Sequence, residues 1–245
     1  MRNFRLTLAY DGSRYKGWQK QGNTPNTIQG KLETLLSRLL GQEVEVNGSG
    51  RTDAGAHARM QVASFRAETD MPVEALLGQI RAYLPEDVGA ISLAEAAPRF
   101  HARLNCVGKT YVYRLWNSEE PNVFERKYMW AMSQPLDIEA MNAAAERICG
   151  KHDFKAFCSN KRMKKSTVRR VDEIKIERVG GEVRFSVSGD GFLYNMVRII
   201  VGTLVEVGLG ERSPESVSAA IASLDRQQAG QTAPPHGLIL WEVRY

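Results

Sequence analysis

One order of elements, strand-helix-strand-strand-helix-strand, can be read twice along these 245 residues, and that repetition narrows the fold more than any other feature. In the first half, Phe4, Leu6, Leu8 and Tyr10 alternate as on a strand with one buried face. Ile28, Leu32, Leu35, Leu36 and Leu39 follow at helical spacing, with Thr27 placed to cap and Gly41 to stop the helix. EVEVNGS and MQVASFRA read as strands flanking a loop. PVEALLGQIRAYL reads as a helix with Pro72 in its first turn, and DVGAISLAEA as a closing strand.

The second half repeats the order. GKTYVYRLWN is a strand, and DIEAMNAAAERICG is a helix. VDEIKIERV and EVRFSVSG form a hairpin across Gly180 and Gly181. Phe192, Met196, Ile199, Ile200, Leu204 and Val207 fall at helical intervals. An extra helix follows, with Ser213 capping and Pro214 opening it, and LILWEVRY ends as a strand. The expected fold is α+β: two ferredoxin-like subdomains, residues 1–103 and 104–245, with predominantly antiparallel sheet and a central catalytic cleft. The long connections at 11–26, 118–136 and 151–169 are where binding surfaces are expected.

Lys and Arg number 33 against 28 Asp and Glu, a net charge of +5 that tilts toward a polyanionic partner. The three cysteines, Cys106, Cys149 and Cys158, are odd in number and form no CxxC pair, which speaks against a disulfide framework or a cysteine zinc site. No run of 18 apolar residues and no signal-peptide pattern occurs, so the expected compartment is the cytoplasm, without a membrane span.

The chemistry concentrates in GSGRTDAGAHA, residues 48–58, where Arg51 and Asp53 stand among residues with little side-chain bulk. A phosphate-binding P-loop needs GxxxxGK[ST]; here Ala56 and His57 occupy the last two positions, so nucleotide binding of that kind is excluded. Four scattered histidines offer no HxxxH or HExxH pair, so no metal is expected. Two readings stay open. Asp53 can bond its own backbone in a turn. Alternatively Arg51, two positions away, keeps Asp53 ionised as a carboxylate nucleophile, with small neighbours leaving room for substrate. The loop is longer than a simple hairpin requires.

This stretch resembles the signature of the tRNA pseudouridine synthase A family. FHARLNCVGKTYVYRLWN, GFLYNMVRIIVGTLVEVG and TAPPHGLILWEV resemble further parts of that family, in the same order and over essentially the whole chain. The resemblance implies that uridine is isomerised to pseudouridine at nucleotides 38, 39 and 40 of the tRNA anticodon stem-loop. It implies Asp53 as the catalytic aspartate with Arg51 beside it, Tyr111 as the tyrosine that stacks on the uracil, and Arg198 as the active-site arginine. It also implies a homodimer and no cofactor. Two positions depart from the family pattern: Ala56 replaces a valine, and Leu104 an aromatic residue.

With an RNA substrate, the stretch KRMKKSTVRR, residues 161–170, becomes a clamp for the phosphate backbone. Arg162, Lys164 and Lys165 are the expected contacts, with Arg103 a fourth; the stretch reads as a loop before a strand. A non-catalytic RNA-binding module of ferredoxin-like fold is the main alternative, although the RRM stretch K/R-G-F/Y-G/A-F-V-x-F/Y is missing. A hydrolase using Asp53 is a second.

Overall fold

Alternation over the first ten residues produces β1 (Arg2–Tyr10), in which Phe4, Leu6 and Leu8 are completely buried. A computed structural model describes residues 1–160 and 162–245. They divide into two units, residues 1–107 with 239–245, and residues 108–238. Two findings differ here from a single break after residue 103: the first unit runs four residues further, and it recruits the C-terminal segment.

In the first unit, α1 (Ile28–Leu40) begins where the Thr27 side chain accepts from Gly30 N at 3.1 Å, and ends at Gly41 with φ of 63°. It packs against β2 (Val46–Gly48) and α2 (Val73–Tyr83), and α2 packs on β4 (Val88–Glu95). With β3 (His57–Ala67), the strands lie in the antiparallel order β4-β1-β3-β2 of a ferredoxin-like sheet.

The 11-residue β3 is longer than its partner β2. One edge is covered by β1 along its length. On the other edge, β2 takes Ala63–Phe65, and β10 (Leu238–Arg244) pairs in parallel with His57 and Ala58. Residues 49–56 therefore leave the sheet where one edge partner stops and before the next begins. The strand start at His57, three residues before the expected MQVASFRA, follows from this pairing with β10.

The second unit contains β5 (Gly108–Asn117), β6 (Trp130–Met132), α3 (Ile138–Glu146), β7 (Gly150–Asp153), β8 (Val168–Val179), β9 (Glu182–Gly189), α4 (Met196–Gly208) and α5 (Ser216–Ser223). Its sheet runs β5-β9-β8-β7 through antiparallel pairs, with β6 parallel to the end of β5. The hairpin turns at Gly180 and Gly181 as expected. Among the described residues the chain has ten strands and five α-helices, an α+β fold with mostly antiparallel sheet.

Three local expectations are corrected, beside two strands that no expectation covered. The strands β6 and β7 are not legible as such in the sequence. The helix α4 starts at Met196 instead of Phe192, because Asn195 adopts a left-handed φ of 62° that stops a right-handed helix there. The helix α5 starts at Ser216, after a turn in which Ser216 N and Oγ both donate to the Ser213 carbonyl; Ser213 does not cap it. Val168, Arg169 and Arg170, expected in a loop, belong to β8, where they pair with β7.

Candidate active site

Asp53 is half-buried on the 49–56 loop, and its backbone is held from several sides. The Asp53 carbonyl accepts from Ala56 N at 3.1 Å, closing a tight turn around Gly55. Beside it, the Thr52 carbonyl accepts from Trp18 N at 3.1 Å, and Gly55 N donates to the Tyr15 carbonyl at 3.3 Å. The backbone of this loop is organised as turns and tied to residues 15 and 18.

The segment that grips the loop is residues 11–18. Only glycine fits at Gly12, because a Cβ there would stand 1.8 Å from the Ala56 carbonyl oxygen. At Gly17, φ is +89°, and a Cβ would lie 2.8 Å from the Thr52 carbonyl oxygen. The two segments therefore meet backbone to backbone. His57, buried at the start of β3, strengthens the contact by accepting from Gly12 N at Nδ1, 3.0 Å. The Gly12 hydrogen is fixed by the backbone, so Nδ1 acts as acceptor; Asp11 Oδ1, 3.1 Å from the same atom, itself accepts from Ser13 N. Arg51 is exposed, and its Nε donates to Gln19 Oε1 at 3.0 Å, a further tie to the same neighbourhood.

Tyr111 and Arg198 belong to the second unit. Tyr111 sits in β5 opposite Val187 of β9, is only 6% exposed, and meets Phe192 edge-to-face with centroids 5.3 Å apart. Phe192 thus contributes through this contact and not through a helix. Two residues on, Tyr113 is completely buried, and its hydroxyl donates to the Pro234 carbonyl at 2.9 Å. Burial pushes its pKa far above the usual phenol range, against the opposing charge of Arg198, so it remains a neutral donor.

Arg198, in the first turn of α4, has a hydrogen-bonded side chain. Its Nε donates to the Ala233 carbonyl at 2.7 Å and its Nη1 to Asn195 Oδ1 at 3.0 Å. Asn195 Nδ2 in turn donates to Ser159 Oγ at 2.9 Å, which sets the orientation of the amide. The left-handed Asn195 that ends the apolar run is thereby the residue that aims the guanidinium.

Arg103 is exposed in the first unit, in a turn where His101 Nδ1 accepts from its backbone N. Arg162, Lys164 and Lys165 are exposed in the second, and Arg162 N donates to Asn160 Oδ1. Lys161, the first residue of the basic stretch, lies outside the described residues. No cluster of three His, Cys, Asp or Glu suited to a metal occurs among the described residues, and no helix there is long and apolar enough to cross a membrane. Sequence reasoning did not single out Gly12, Tyr113 or Asn195. Only the aromatic pattern of β5 carried a signal for Tyr113.

Two units, one bearing the bonded Asp53 loop on a ferredoxin-like sheet and the other carrying Arg198 with the buried Tyr111 and Tyr113, make up an α+β protein. A family model described as tRNA pseudouridine synthase matches residues 7–105 and 144–245, and the chain belongs to that family. It is 43% identical over 245 residues to tRNA pseudouridine synthase A 2 of Bacillus cereus (strain ZK / E33L), with both chains fully covered. It is 45% identical over 245 residues, again with full coverage of both, to the protein of the same name from Clostridium perfringens. To tRNA pseudouridine synthase A of Moorella thermoacetica it is 44% identical over 98% of each chain. The family is one of isomerases acting on uridine in tRNA, which sets aside the readings as a non-catalytic RNA-binding module and as a hydrolase.

Proposed function

We propose that this chain isomerises uridine to pseudouridine at nucleotides 38, 39 and 40 of the tRNA anticodon stem-loop, with Asp53 as its catalytic carboxylate. The observation that carries the reading is the half-buried Asp53 on a loop whose backbone is bonded at Thr52, Asp53 and Gly55. Such a loop presents a carboxylate without needing to reorganise when substrate arrives.

In the reaction, the bond from ribose C1′ to uracil N1 breaks, the base turns, and C1′ bonds to C5. The C5 hydrogen leaves as a proton, and N1 takes one up, so neither a redox partner nor a water is consumed. Asp53 attacks the nucleotide or removes a proton from it. Tyr111 faces the uracil and limits where the detached base can go. Arg198 and Arg51 supply positive charge for the negative charge that develops in the reaction. The target base leaves its stack at a cost of about a few kcal/mol. Contacts from Arg103, Arg162, Lys164 and Lys165 to the phosphate backbone offset that cost. The enzyme works in the cytoplasm as a homodimer that grips one tRNA with both subunits; sedimentation with and without tRNA tests the assembly.

The chemical test is tritium release from tRNA labelled at uracil C5. Asp53→Asn should abolish release while leaving tRNA affinity within about threefold, because charge is lost and shape is kept. Full activity in Asp53→Asn sinks the assignment of the carboxylate. Mapping pseudouridine in an unmodified transcript tests the three positions.

A further inference from the structure

Beneath the Asp53 loop lies a group of buried polar side chains that the chemistry above does not use: Tyr10, Ser49, Thr52 and Gln61, all less than 9% exposed. Gln61 is fully buried on β3, directly past the point where β2 stops. Val62 N donates to Gln61 Oε1 at 3.2 Å, which identifies that atom as the oxygen and so settles the amide orientation. Ser49 Oγ donates to the same oxygen at 2.7 Å. The amide nitrogen then donates to the Gly50 carbonyl at 3.0 Å and, at 3.5 Å, to the Tyr10 hydroxyl.

The Tyr10 hydroxyl, which accepts from that nitrogen, also shares a hydrogen bond with Thr52 Oγ1, 2.9 Å away, in which either oxygen can donate. Burial raises the Tyr10 pKa to about 12, so the hydroxyl stays protonated at neutral pH. The side chain of Gln61 thus continues the edge ladder after β2 ends. Through Ser49, Gly50 and Thr52 it fastens three of the four residues that precede Asp53.

We infer that Gln61 and Tyr10 are positioning residues for the isomerase reaction, acting through the Thr52 hydroxyl and the Ser49–Gly50 backbone to hold the Asp53 carboxylate in its reactive place. This rests on Asp53 being the catalytic carboxylate. The network binds no substrate itself. Its contribution is to fix the loop beforehand, where a shift of about 1 Å can cost on the order of 100-fold in rate.

The test compares Tyr10→Phe, Thr52→Val and their double variant, with Asp53→Asn alongside, in single-turnover tritium release at saturating enzyme. Each single variant removes one hydroxyl and keeps the packing. Each should lower the rate constant about 10-fold, with tRNA affinity unchanged within twofold. Because the two hydroxyls act through one bond, the double variant should also lose about 10-fold and not 100-fold. Thr52→Ser should recover most of the rate lost in Thr52→Val. Gln61→Met, read by the same assay on its folded fraction, should match Tyr10→Phe. Wild-type rates in Tyr10→Phe and Gln61→Met, with Asp53→Asn inactive, overturn the positioning role and leave the carboxylate assignment standing. An active Asp53→Asn overturns both. Lowered thermal stability with an unchanged rate constant shows the network to be structural only and likewise overturns the inference.

Discussion

Arg198 and Ala233 exchange two hydrogen bonds: Arg198 Nε donates to the Ala233 carbonyl at 2.7 Å, and Ala233 N donates to the Arg198 carbonyl at 3.1 Å. The strap at residues 229–234 is thus tied to the first turn of α4 by the side chain and the backbone of one residue. Gly230 N adds a bond to Thr203 Oγ1 at 2.9 Å, and Gln231 N one to Glu206 Oε1 at 2.7 Å.

The first prediction concerns that arginine. A lysine at 198 keeps the charge but cannot serve Ala233 and Asn195 in the fixed fork of a guanidinium. Arg198→Lys should lower kcat for pseudouridine formation by about 10- to 100-fold, with a melting temperature within about 4 °C of wild type. A rate equal to wild type shows that charge alone suffices.

The meeting of residues 11–18 with the Asp53 loop makes a second. Gly12→Ala pushes a methyl group into the Ala56 carbonyl and should destabilise the protein by about 1–3 kcal/mol in urea unfolding. Gly78, inside α2, has open space around its Cβ position, so Gly78→Ala should instead stabilise by about 0.5–1 kcal/mol. Two Gly→Ala changes of opposite sign separate steric contact from helix propensity.

Acid stability is set in part by Glu182. Hydrogen bonding from Arg114, at 2.8 Å, holds its pKa below the ordinary 4.5, against burial and with help from Arg184. A carboxylate depressed in the folded state stabilises above its unfolded value, and that contribution is lost as pH falls through the folded value. Arg114→Gln should therefore cost about 1–3 kcal/mol near neutral pH. The gap from wild type should narrow below pH 4.5, measured by urea unfolding across the range. A gap that does not change with pH removes Glu182 as its source.

Salt dependence tests the basic stretch. Lys164→Ala with Lys165→Ala should weaken tRNA binding and reduce the slope of log K against log salt by about 0.7–0.9 for each phosphate no longer neutralised. An unaltered slope takes Lys164 and Lys165 off the RNA-binding surface.

Much of the fold is legible in the sequence because its signals are local. The Thr27 cap and the Gly41 stop each act within one turn, and the alternation of Phe4, Leu6 and Leu8 needs only one strand. The apolar spacing of Phe192 with Met196 reads as helix, yet Phe192 is used edge-on by Tyr111 and the helix waits for Asn195. The strands β6 and β7, of three and four residues, are too short to show a period; each exists through a partner distant in sequence. In the candidate site, the loop around Asp53 is visible as a motif, whereas its anchors are not. Gly12 meets Ala56 and His57 across more than forty residues, and nothing in the local sequence announces it.

By itself, then, the chain's order of periodicities determined an α+β fold, and the small residues around Asp53 determined a turn-rich loop there. Both are properties of short windows, in which side-chain spacing and chain flexibility decide the outcome. Tertiary structure decided the rest: the departure of the loop between β2 and β10 along one edge of β3, the hydroxyls and amide beneath it, and the strap that orients Arg198. Each of those bonds joins groups far apart in sequence, so its energy is available only once the sheet and helices have brought them within about 3 Å.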